Sequence, residues 1–106
     1  MAGYEVKNGV GIIPDGTTEI QPRAFFGCKD LISIVIPDSV TKIGDSAFYG
    51  CTGLVAITIP ANVTTVCSYC FYGCTALAGV HVPATVTEID EYAFCGCASL
   101  VDITIP

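Results

Sequence analysis

Residues 37–59 read PDSVTKIGDSAFYGCTGLVAITI, and this stretch decides the fold. Pro37, Asp38 and Ser39 open it with a turn, since proline fixes φ and the short polar side chains bond nearby backbone. Val40 and Ile43 are apolar among polar neighbours. Asp45 or Ser46 is expected to cap a short helical turn over Ala47, Phe48 and Tyr49. Gly50 is expected to end that turn at positive φ. Leu54, Ile57 and Ile59 then form an L-x-x-I-x-I pattern whose last part alternates, as a short strand with one buried face does. One such unit is too small to bury a core, whereas stacked copies cover one another.

The neighbouring sequence supplies the copies. Pro14, Pro37, Pro60, Pro83 and Pro106 are spaced 23 residues apart. Phe25, Phe48, Phe71 and Phe94 keep the same spacing, as do Gly27, Gly50, Gly73 and Gly96. Cys28, Cys51, Cys74 and Cys97 keep it too, with Leu31, Leu54, Leu77 and Leu100. The repeats are therefore 14–36, 37–59, 60–82 and 83–105, after a lead-in at 1–13 and before the first residue of a further repeat. Inward ladders are expected at Ile20, Ile43, Val66 and Ile89, and at Ala24, Ala47, Cys70 and Ala93. Ile34, Ile57, Val80 and Ile103, and Ile36, Ile59, Val82 and Ile105, should join them. Successive strands should pair in parallel about 4.8 Å apart. The fold class is an α/β repeat solenoid, with a parallel sheet on the concave side and short helical turns on the convex side.

The pattern I-P-x-x-V-T-x-I-x-x-x-A-F-x-G-C-x-x-L-x-x-I-x-I resembles the BspA-like, or Treponema pallidum type, leucine-rich repeats. Ala24–Cys28, Ala47–Cys51 and Ala93–Cys97 carry its A-F-x-G-C centre. The third repeat departs with Cys70 in the alanine place, and the first at Thr17 and Pro22. The resemblance implies a right-handed leucine-rich-repeat array. It also implies a cell-surface or secreted protein engaged in adhesion or protein–protein contact, from a family whose members are often far longer. An excerpt of a longer protein and a small engineered array both fit.

Composition narrows the function classes. The chain has 106 residues, 52% hydrophobic and 13% charged, with net charge −6. Globular chains are about 25% charged, so this one is unusually apolar, which excludes intrinsic disorder. Its basic residues are Lys7, Arg23, Lys29 and Lys42, too few and scattered for nucleic acid. No apolar run nears the roughly 20 residues that span a bilayer, so membrane insertion is not expected. No signal peptide is visible. From Ser46 to Thr87 there is no Asp, Glu, Lys or Arg. That stretch is either solvated by its Thr, Ser, Asn and Gly residues or covered by a partner.

Candidate sites follow from the ladders. The outward strand positions Ser33, Val35, Ala56, Thr58, Gly79, His81, Asp102 and Thr104 form the expected partner-binding face, small and nearly uncharged. His81 is the sole histidine, and Asp102 lies diagonal to it on the next strand. Catalysis needs both an activated nucleophile and an oxyanion site, and the sequence supplies no such pair, so no enzyme activity is expected. The ladder cysteines read as core. Cys67, Cys70 and Cys74 are spaced i, i+3 and i+7, and with Cys95 or Cys97 they raise a zinc site or a local disulfide. Cys70 and Cys74 occupy core slots and no second pair completes a ligand set, so neither a metal nor a cofactor is expected. Phe26, Tyr49 and Tyr72, broken by Cys95 and flanked by Tyr69 and Tyr92, form an aromatic ladder. It reads as a second contact surface or as aromatics partly packed on the helical side. Asn62-Val63-Thr64 is a glycosylation sequon in an exposed turn.

The ends complete the reading. Asn8-Gly9 suits a hairpin turn within the lead-in, which would act as a cap. At the other end Leu100, Ile103 and Ile105 leave a core face and a strand edge uncovered. Self-association through this C-terminal repeat, as a homodimer or a self-assembling array, is the alternative to a protein-binding module.

Overall fold

The computed structural model describes residues 4–104, with side chains as far as residue 101. Among them are β1 (Glu5–Lys7), β2 (Val10–Ile12), β3 (Glu19–Ile20), β4 (Ser33–Ile34) and β5 (Lys42–Ile43). β6 (Ala56–Thr58), β7 (Thr65–Val66), β8 (Gly79–His81), β9 (Glu88–Ile89) and β10 (Asp102–Thr104) follow. The strands predicted from L-x-x-I-x-I are β4, β6, β8 and β10. β6, β8 and β10 pair in parallel with the 23-residue register, Ala56 beside Gly79 and Gly79 beside Asp102. β2 joins β4 in the same register, Val10 beside Ser33. These strands make the front of the stack as two three-stranded sheets, β1-β2-β4 and β6-β8-β10, and β4 and β6 do not form the expected ladder with each other. β1 folds back on β2 through Asn8 and Gly9, at φ 52° and 81°, the left-handed pair that a tight two-residue hairpin turn needs.

A third sheet was not anticipated. β3, β5, β7 and β9 pair in parallel, Ile20 beside Ile43 and Val66 beside Ile89. Each contributes two residues, of which one is buried in β3, β5 and β7. A segment that short shows no alternation in sequence. It becomes a strand only because the next copy supplies its bonds.

The expected helical turns are absent from the described residues. In 45–50 the N–H groups alternate between two kinds of acceptor. Ala47 and Tyr49 donate three residues back, to Gly44 and Ser46 carbonyls, both at 3.2 Å. Ser46, Phe48 and Gly50 donate instead to Ser68, Cys70 and Tyr72 of the next repeat, at 3.1, 2.9 and 2.7 Å. An α-helix would send every N–H to the carbonyl four residues back, so half the donors have been diverted to the neighbouring copy. The diversion needs left-handed residues: Gly50 at φ 71°, as expected, and Ser46 at φ 57°. Neither Asp45 nor Ser46 therefore caps a helix. Arg23, Tyr69 and Tyr92 are the left-handed equivalents of Ser46, at φ 62°, 57° and 61°.

The core lies between the front strands, the β3-β5-β7-β9 sheet and this turn ladder. Phe25, Phe48, Phe71 and Phe94 stack at 5.3–5.4 Å with rings nearly parallel, and Tyr4 adds a further ring at 5.4 Å on Phe25. Burying each ring or branched aliphatic side chain contributes roughly 1.5–3 kcal/mol. Ile20, Ile43 and Val66 are at most 2% exposed, but Ile89 is 37% exposed. Ile89 thus departs from its predicted inward place, because among the described residues no further repeat is stacked on its strand. Polar staples also span repeats. Ser39 Oγ donates to the Thr17 carbonyl (2.7 Å), and Asn62 Nδ2 to the Asp38 carbonyl (2.9 Å). The sequon asparagine is exposed, as expected, but its amide is engaged. Pro22, the departure in the first repeat, is accommodated by Gly44, where a Cβ would stand 2.5 Å from the proline nitrogen.

Two substitutions separate backbone strain from crowding. A Cβ on Gly50 would make only ordinary contacts with the Gly27 backbone, at 3.7 and 3.9 Å, so Gly50→Ala should cost about 1–2 kcal/mol from φ alone. Gly44→Ala should cost more, through its clash with the Pro22 backbone. Urea denaturation of the two variants measures both.

Candidate functional site

The front strands lift the predicted face into solvent. Ser33, Ala56, Thr58 and His81 are exposed, Gly79 is half-buried and Val35 is 79% exposed. Their intervening residues Ile34, Ile57 and Val80 are buried, as the two-residue period of a strand requires. Backbone register brings Thr58, His81 and Thr104 side by side, with Ala56, Gly79 and Asp102 in the next row. Asp102 thus holds its diagonal place relative to His81, and the side chains of Asp102, Ile103 and Thr104 lie outside those described. An open depression of about 340 Å³ lies over Ala56, Thr58, Gly79 and His81, floored by Ile34, Ile57 and Val80. Thr58 and His81 supply the only polar side chains of that lining. They offer hydrogen bonds to a ligand but no assembled acid–base pair.

One row of this face escaped the sequence reading. Ile32 and Val55, both about half exposed, stand 23 residues apart along it, and Val101, 87% exposed, follows two repeats on, after half-buried Ala78. A strict alternation from Leu31 would place Ser33, not Ile32, on the core side. The Gly9 carbonyl instead accepts from both Ile32 (2.7 Å) and Ser33 (3.1 Å), so two successive residues face outward before the strand begins. Val10 and Ile12 of β2 extend the face, at 43% and 42% exposure. The face is therefore apolar at its N-terminal side, around Val10, Ile12, Ile32 and Val35. It becomes small and hydroxyl-bearing toward Thr58, Gly79 and His81.

The repeat geometry and its ladders correspond to a known family. The sequence model of the BspA type leucine rich repeat region matches residues 10–106, in 6 copies. The chain belongs to the BspA type leucine-rich repeat family. A leucine-rich repeat protein from Bacteroides ovatus is 34% identical over 82% of this chain and 23% of its own, with TM-score 0.79. A leucine rich cell surface protein from Faecalibacterium prausnitzii is 32% identical over 92% of this chain and 32% of its own, with TM-score 0.68. The T. pallidum leucine-rich repeat protein is 26% identical over 93% of this chain and 59% of its own, with TM-score 0.80. The BspA type chain thus spans between about a quarter and three fifths of these proteins. No curated protein sequence matches it significantly.

The cysteines of these BspA type repeats serve the stack. Cys51 Sγ donates to the Phe25 carbonyl and Cys74 Sγ to the Phe48 carbonyl, each at 3.0 Å. Cys97 Sγ donates to the Phe71 carbonyl at 3.2 Å. Burial pushes the Cys51 and Cys74 thiols from 9.0 up to about 12. Cys70 is fully buried and shifted well upward for the same reason. Burial, followed by the charge of the Asp45 carboxylate, raises the Cys67 thiol as well. The spacing of Cys67, Cys70 and Cys74 does not make one helical face, because the segment is not helical. Among the described residues all seven cysteines are thiols, and no group of three His, Cys, Asp or Glu side chains is placed to hold a metal. No helix among them is long and apolar enough to cross a membrane. Of the self-association residues, Leu100 is half-buried, Ile103 pairs through its backbone with Val80, and Ile105 lies outside the described residues.

The raised thiols give stability a sign with pH. A thiol held neutral by the fold contributes fully below its unfolded value of 9.0, and loses that contribution as pH climbs toward about 12. The melting temperature should therefore fall above about pH 9, and less steeply in Cys74→Ala, which removes one such group. A melting curve at each pH checks this. A flat profile would contradict the buried ladder.

Glu88 gives the same sign at lower pH. Its carboxyl is pushed up by the hydrogen bond with Asp90, then by that carboxylate's charge. Its contribution is present at acid pH and is lost as pH rises through the carboxylate range. Glu88→Gln should flatten the pH dependence of melting in that range.

Proposed function

We propose that this array is a non-catalytic protein-contact module, a segment of a surface or secreted adhesin-like protein, and that a protein partner docks on the front sheet face. The observation that carries this reading is the exposed band from Val10 and Val35 to Thr58 and His81. It is apolar at one side, small and flat in the middle, and continuous with an open depression. Exposed apolar patches of this kind mark interaction sites in soluble proteins. Short side chains let a partner approach the backbone closely, and Thr58 and His81 provide directional hydrogen bonds. The setting is supported by the cell-surface description of the F. prausnitzii protein.

The face can be tested without damaging the fold. Val35→Asp and Thr58→Lys place charge on exposed positions and should change stability by no more than about 0.5 kcal/mol. Captured proteins from a mucosal extract should be retained by the wild-type chain and weakened on the order of tenfold by the double variant. Equal capture by both would exclude the front face as the contact surface.

A second reading is self-assembly through the last repeat, a structural role natural or engineered. Its support is the 37% exposure of Ile89 and the half-buried state of Leu100, against their covered equivalents in the inner repeats. Leu100→Lys should then abolish a concentration-dependent oligomer seen by light scattering.

A further inference from the structure

The turn ladder carries an outward surface of a different kind. One column holds Phe26, Tyr49 and Tyr72, stacked at 4.7 and 4.9 Å, and ends at exposed Cys95. The parallel column runs Arg23, Ser46, Tyr69 and Tyr92, with the last two rings 5.2 Å apart. Tyr69 joins the columns at 5.4 Å from Tyr72, and the Arg23 guanidinium stands 5.6 Å from the Phe26 ring. The rings cover one another's faces and present their edges to water. Phe26 is 50% exposed and Tyr92 49%. Tyrosine, phenylalanine and arginine are the side chains enriched in protein interfaces.

The charges and sizes along this surface are self-complementary in one direction. Arg23 marks the first-repeat end, and exposed Glu91, next to Tyr92, marks the fourth. Consider a two-fold axis across the columns, midway between the second and third repeats. It lays Tyr49 on the partner's Tyr72, and Tyr69 over the partner's Ser46, a small residue opposite a large one. Phe26 meets the partner's Cys95 on the same terms. Arg23 meets the partner's Tyr92 beside the partner's Glu91, and the axis repeats every pair. A parallel arrangement would place Arg23 against the partner's Arg23 and Glu91 against the partner's Glu91, which is repulsive.

We propose that the chain forms an antiparallel two-fold homodimer through this aromatic face, with Arg23 and Glu91 setting its direction. This surface is separate from the front strands and from the Ile89 and Leu100 positions of the second reading, so the proposal stands independently of the functional reading. The face is small, which places the dimer among weak interfaces.

Sedimentation equilibrium in reductant, up to about 1 mM protein, tests the proposal by charge reversal. Wild type should populate a dimer. Arg23→Glu and Glu91→Arg should each weaken it on the order of tenfold, with unchanged circular dichroism. An equimolar mixture of the two variants should dimerise as wild type does, because each copy then carries the charge its partner lacks. Tyr69→Ser should weaken the dimer without being rescued by either charge variant, and Ile89→Lys should leave it intact. A wild-type chain that stays monomeric throughout would overturn the proposal. So would charge variants that dimerise like wild type, a mixture that shows no rescue, or a dimer lost only with Ile89→Lys. Equal capture by the wild type and the Val35→Asp, Thr58→Lys double variant, with this dimer intact, would count against the functional reading alone.

Discussion

The structure depends on how the turn segments divide their backbone donors. Within each segment alternate N–H groups close a tight turn locally, and the others reach the carbonyls of the following repeat. This division holds adjacent copies at one spacing on the side opposite the front sheet. It excludes a helix, since a helix would use every donor internally. It also demands two left-handed residues per repeat, which explains the glycine ladder and the strained rung at Arg23, Ser46, Tyr69 and Tyr92.

Once the spacing is set, identical side chains meet identical side chains. The phenylalanines stack ring on ring, and the ladder thiols donate to carbonyls already engaged by a local turn, as Phe25 accepts from both Cys28 N–H and Cys51 Sγ. Cohesion is then a nearest-neighbour property, in which each repeat stabilises the next. The gradient in burial follows: Phe48 and Phe71 are fully covered and Phe94 only partly. The same arithmetic explains why Tyr4 matters, since its ring lies on the otherwise open face of Phe25 and its hydroxyl donates to the Glu19 carbonyl.

Inward positions are bound by this packing and outward positions are not. Chemical individuality therefore collects on the outside. On the front it takes the form of valines and isoleucines giving way to Thr58, Gly79 and His81. On the turn side it takes the form of aromatic columns between Arg23 and Glu91. The absence of charge from Ser46 to Thr87 leaves contact area rather than long-range attraction as the resource of both surfaces.

The sequence by itself determined the 23-residue period, the Phe, Cys and Leu core ladders, the front strands and the outward set from Ser33 to His81. Those features are legible because side-chain type at a fixed spacing reports burial directly. The tertiary structure decided the rest. It made β3, β5, β7 and β9 strands and turned Ser46 from a cap into a left-handed rung. It pointed Ile32 and Val55 outward and engaged the Asn62 amide in a staple. The physical reason is common to all of these: each is set by a hydrogen bond or close contact to a neighbouring repeat, a full period or so away in the chain, and no local pattern of residues records such a bond.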